Sequence, residues 1–61
     1  MSPFEILNVS PGSSREQVRA AYRALARRWH PDRFMAGPER EWAAEKMARI
    51  NAAYQACLKQ T

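Results

Sequence analysis

Cysteine occurs once in these 61 residues, at Cys57, and histidine once, at His30. One cysteine excludes an internal disulfide, and one of each falls short of the four Cys/His ligands of a structural zinc site. No metal and no cofactor is expected. No apolar run approaches the roughly 20 residues needed to span a bilayer. The opening Met1-Ser2-Pro3-Phe4-Glu5 lacks the basic-then-apolar order of a secretory signal. Nothing calls for an oxidising compartment or a membrane, so the expected location is cytoplasmic. Repeats, low-complexity tracts, linkers and strand-like alternation are also missing. The chain is short, and a domain of this size buries only about 60% of its unfolded surface. That leaves little room for an internal pocket, which counts against a small-molecule ligand and against an enzyme.

What is present is an apolar fraction of 46%, enough for one packed domain over residues 1–61. Its pattern is helical. Pro3 suits a first helical turn, and Phe4 and Leu7 share a face, so a short helix is predicted at about 3–8, ending in the turn chemistry of Asn8 and Val9-Ser10-Pro11-Gly12. A second helix is predicted at about 14–29. Ser13 or Ser14 can cap it, with Glu16 or Gln17 closing a capping box, and Val18, Tyr22, Leu25 and Trp29 recur at 4-3-4 spacing as a buried face. Pro31 disfavours the helical conformation at His30 and stops the helix. After a loop over 30–38, Pro38 opens a third helix reaching about residue 58. Glu39 and Glu41 suit its positive end, and Ala43, Met47, Ile50, Tyr54 and Cys57 form its apolar stripe. The expected fold class is all-α: a short helix closing one side of an antiparallel helical hairpin.

The formal net charge is +4, and all of it falls within 14–29, where Arg15, Arg19, Arg23, Arg27 and Arg28 face Glu16 alone. Four of these arginines recur every four residues, a ribbon that drifts slowly around an ideal helix. Without acidic partners at i±4 the ribbon is not neutralised locally, which points to an acidic partner surface. A plain solvated face is the alternative. The loop holds His30-Pro31-Asp32-Arg33, where proline fixes the backbone between two polar side chains at low entropic cost. A His–Asp pair is also an acid–base element, but no nucleophile, metal set or cleft accompanies it. Trp29, Phe34 and Trp42 flank this loop. They are read as closing the core and folding the loop back, with an exposed anchor for a partner as the alternative.

Three blocks together resemble the J domain of the DnaJ co-chaperone family. They are Phe4-Glu5-Ile6-Leu7-Asn8-Val9, then Ala21-Tyr22-Arg23-Ala24-Leu25-Ala26 leading into His30-Pro31-Asp32-Arg33, and Ile50-Asn51-Ala52-Ala53-Tyr54. The resemblance implies that helix II and the His-Pro-Asp loop dock on the ATPase domain of a DnaK-type chaperone, near its interdomain linker, and stimulate ATP hydrolysis. It assigns His30, Pro31, Asp32 and Arg33 to that contact, and Arg19, Arg23 and Arg27 to electrostatic recognition. The domain itself would hydrolyse nothing and act as a monomer. Asn8 stands where the family usually has glycine, but asparagine tolerates the left-handed conformation. The family's fourth helix is expected to be missing, because only three residues follow Leu58.

Two rival readings differ in class. A small helical nucleic-acid-binding domain would use the arginine ribbon and the tryptophans. Against it, the connecting loop is longer than the turn of a helix-turn-helix, and the third helix is nearly neutral, so nucleic acid is disfavoured as a partner. A degenerate J domain acting only as a protein-interaction adaptor is the other.

Overall fold

A computed structural model describes residues 2–60. Its order is α1 (Pro3–Ile6), α2 (Arg15–Trp29), a 3-10 turn (Pro31–Arg33) and α3 (Pro38–Gln60). The described residues contain no strand, and the fold is all-α.

Short as it is, α1 is held at both ends. The Ser2 hydroxyl accepts from the Glu5 amide at 3.3 Å, and the Glu5 carboxylate accepts from the Ser2 amide at 3.1 Å, a capping box in which two otherwise unpaired donors are satisfied. The helix stops at Ile6 rather than reaching residue 8. Asn8 adopts φ 61°, its amide donates to the Glu5 carbonyl at 3.0 Å, and the Val9 amide reaches back to the Phe4 carbonyl at 2.9 Å. This is the Schellman ending, which needs a left-handed residue just past the helix. Asparagine supplies it at modest steric cost.

Between the two serines available to cap α2, the structure uses Ser14. Its hydroxyl accepts from the Gln17 amide at 3.1 Å, while Gln17 Oε1 accepts from the Ser14 amide at 2.8 Å. At the other end His30 is extended, φ −62° and ψ 130°, the conformation a following proline imposes. Gly37 takes φ 120° just before α3, and Pro38 opens that helix.

α2 and α3 pack along their length, and α1 lies against α3. Pairs across the seam run in opposite order. Arg15 meets Leu58, Tyr22 meets Asn51 and Tyr54, and Trp29 meets Trp42, so the hairpin is antiparallel. The core consists of Phe4, Leu7, Val18, Met47, Ile50, Ala53 and Cys57, with Ala43 also buried. Burying a side chain such as Leu7 or Val18 contributes about 1.5–3 kcal/mol.

The stripes differ in detail from the spacing-based reading. On α3 the buried residue is Ala53, and Tyr54 is half-buried. Tyr54 still packs against the core, but its large ring stacks on Tyr22 and keeps part of its surface in solvent, whereas the small Ala53 is covered. On α2 only Val18 is buried, while Tyr22, Leu25 and Trp29 are half-buried. Two helices and one short third helix cannot enclose four large side chains along a single face.

Candidate functional site

The connection between α2 and α3 is built by local hydrogen bonds. The Arg33 amide donates to the His30 carbonyl and the Phe34 amide to the Pro31 carbonyl, each at 3.0 Å. The imidazole takes part as well, with His30 Nδ1 accepting from the Asp32 amide at 3.2 Å. An accepting Nδ1 places the ring proton on Nε2, so the imidazole offers that N–H as a donor. Asp32 Oδ2 sits 3.6 Å from His30 Nδ1, and Arg40 Nη2 lies 3.5 Å from Asp32 Oδ1. Both side chains are open to solvent, His30 at 56% and Asp32 at 75% exposure. One donor and one acceptor-rich group are thus presented together on a proline-fixed turn.

Arg33 is turned the other way. Its Nη1 donates to the Arg27 carbonyl at 2.7 Å, one of the last-turn carbonyls that a helix cannot satisfy internally. This guanidinium therefore caps α2. Arg19, Arg23 and Arg27 are exposed, and no ion pair among the described residues neutralises them. Arg15, the first of the ribbon, reaches the Leu58 carbonyl near the end of α3 at 3.4 Å and ties the open end of the hairpin.

Behind the turn, Trp29 is the centre of an aromatic cluster. Phe34 lies nearly parallel to it, 10° between planes and 6.4 Å between centroids, and Trp42 meets it edge-on at 5.0 Å. Lys46 Nζ stands 4.7 Å from the Trp29 ring centre and 5.5 Å from that of Trp42, and Arg28 lies 5.6 Å from Trp29. Phe34 folds the loop back onto the hairpin, whereas Trp42 stays 52% exposed. Local spacing gives no sign of the Arg40–Asp32 and Lys46–Trp29 contacts, because both cross between elements, whereas Lys46 and Trp42 stand four residues apart on α3. The one hint is a cation in the acidic first turn of α3.

Among the described residues, no cluster of His, Cys, Asp and Glu could hold a metal ion, and no helix is long and apolar enough to cross a membrane. The arrangement defines a helical domain with an exposed polar turn at one end of a hairpin and a basic helix face beside it. Residues 2–60 match the DnaJ domain family, and the chain belongs to that family. The chain is 44% identical over 52 residues to a chaperone protein DnaJ of Clostridium novyi, covering 85% of this chain and 13% of that protein. It is 43% identical over 56 residues to chaperone protein DnaJ 1 of Aromatoleum aromaticum, covering 92% and 15%. A DnaJ-related protein of Schizosaccharomyces pombe is 43% identical over 54 residues, covering 88% and 13%. The chain thus spans 13–15% of the length of these relatives. No solved structure matches it at a significant level.

Proposed function

We propose that this domain binds the ATPase domain of a DnaK-type chaperone and stimulates its ATP hydrolysis through His30, Pro31 and Asp32. The observation that carries the reading is the presentation of His30 and Asp32, both exposed, on a 3-10 turn that follows a helix bearing an unneutralised arginine ribbon, in a chain of the DnaJ domain family. Arg19, Arg23 and Arg27 steer the domain toward an acidic surface, which speeds encounter and weakens with salt. The exposed Asp32 carboxylate then accepts from a cationic group of the chaperone, and the His30 Nε2–H donates beside it. Arg33 contributes through the α2 cap and so sets where the turn begins.

The test is single-turnover ATP hydrolysis by a purified DnaK-type chaperone titrated with this domain. Stimulation that disappears in His30→Gln, with the melting temperature unchanged, supports the reading. Binding without stimulation leaves an adaptor, and salt-sensitive DNA binding in place of chaperone binding leaves the nucleic-acid alternative.

A further inference from the structure

Arg40 occupies an electrostatically awkward position. It is the third residue of α3, where the helix dipole favours anions and disfavours cations. Its neighbours Glu39 and Glu41 suit that end, and Arg40 does not. The geometry supplies a reason, because its guanidinium is directed across the loop to Asp32, with Nη2 3.5 Å from Oδ1. The other oxygen of the same carboxylate faces His30 Nδ1 at 3.6 Å, and the Asp32 amide is itself bonded to that imidazole. The imidazole thus holds the Asp32 backbone, and Arg40 supplies the attractive contact to its carboxylate. The 3-10 turn that carries it leans on α3.

We propose that Arg40 is a positioning residue for Asp32, which makes the first turn of α3 part of the docking element. This inference rests on the proposed chaperone-docking role. A carboxylate has about four lone-pair sites, and Arg40 approaches only part of them. Asp32 remains 75% exposed and keeps acceptor capacity for a partner cation. An unrestrained side chain on a loop loses rotamer freedom when it docks. Arg40 removes part of that loss beforehand, and its charge does not compete for the outward-facing lone pairs. Because a single nitrogen makes the contact, a lysine can substitute for it.

The experiment uses Arg40→Ala and Arg40→Lys in the chaperone ATPase titration, with NMR of the free domain. Arg40→Ala is expected to raise the half-saturating concentration about threefold, the scale of one exposed ion pair, at unchanged maximal rate and unchanged melting temperature. Arg40→Lys is expected to titrate like the wild type. In the free domain, Asp32→Asn is expected to move the Arg40 Nε–Hε resonance. An Arg40→Ala titration that overlays the wild type overturns the proposal. So does an Arg40 resonance indifferent to Asp32→Asn, which makes any docking defect a direct contact between Arg40 and the chaperone. If the wild-type domain itself does not stimulate, the functional reading fails instead, and the resonance still decides whether Arg40 holds Asp32.

Discussion

Tyr22 and Tyr54 lie face to face across the seam between α2 and α3, 4.2 Å between ring centroids and 11° from parallel. The Tyr22 hydroxyl continues the bridge by donating to Asn51 Oδ1 at 2.7 Å. One aromatic pair and one hydrogen bond thus join the helices at the middle of the hairpin.

Removing the ring should cost less than a core truncation. Tyr22 is half-buried, so Tyr22→Ala is expected to destabilise by about 1–3 kcal/mol, below the 3–5 typical of buried aromatics. Tyr22→Phe keeps the stack and loses only a solvent-accessible hydrogen bond, roughly 0.5 kcal/mol. Urea unfolding midpoints of the two variants check the order; equal losses would mean that the hydroxyl rather than the ring joins the helices.

Leu7 is 1% exposed and belongs to the core although it lies just past α1. Leu7→Ala is expected to destabilise by roughly 2–5 kcal/mol. Met35 is also apolar but is 86% exposed, and Met35→Ala should change stability by less than about 0.5 kcal/mol. Thermal unfolding of both variants distinguishes a core contributed from outside the hairpin from one made by α2 and α3 alone.

Burial pushes the Cys57 thiol up from its ordinary value, because removing the sulfur from water disfavours the thiolate. The folded state therefore holds its proton to higher pH than the unfolded state. The resulting stabilisation is present below the unfolded thiol's titration range and is lost as pH rises through that range toward the folded value. The wild type should lose more stability than Cys57→Ala between neutral pH and mildly alkaline pH, measured by urea unfolding. Alkylation of the native protein should be slow and should follow global opening.

The arginines of α2 and of the turn have two roles. Arg23→Glu, at an exposed position, should leave the melting temperature unchanged, weaken association with the chaperone, and flatten its salt dependence. Arg33→Ala removes the bond to the Arg27 carbonyl and should cost about 0.5–1.5 kcal/mol of stability. Calorimetry of the two variants beside a binding titration at two salt concentrations separates the roles.

Much of the architecture was legible from short-range chemistry. Ser14 with Gln17, Pro31 after His30, and Pro38 after Gly37 act within three or four residues, and the backbone follows them wherever they stand in a fold. Asn8 is the same case, a left-handed residue closing α1. The candidate site was legible only in part. His30, Pro31 and Asp32 stand out because proline punctuates the chain, and Arg19 and Arg23 because their spacing is helical. Arg33 was assigned to the same contact by the resemblance, and its bond to the Arg27 carbonyl was not legible because local spacing does not give the direction in which a long side chain turns.

The sequence by itself determined the number and order of the helices and their ends to within about two residues, which of them is basic, and that a polar tripeptide falls between two of them. Capping, proline geometry and charge spacing are local, and need no knowledge of neighbouring elements. Only the tertiary structure decided that Ala53 is buried beside a half-buried Tyr54, that Trp29 gathers Phe34, Trp42 and Lys46, and that Arg40 reaches Asp32. These follow from the rotation of α3 about its own axis against α2. That rotation is set by how the whole apolar surface packs, and no window of a few residues contains it.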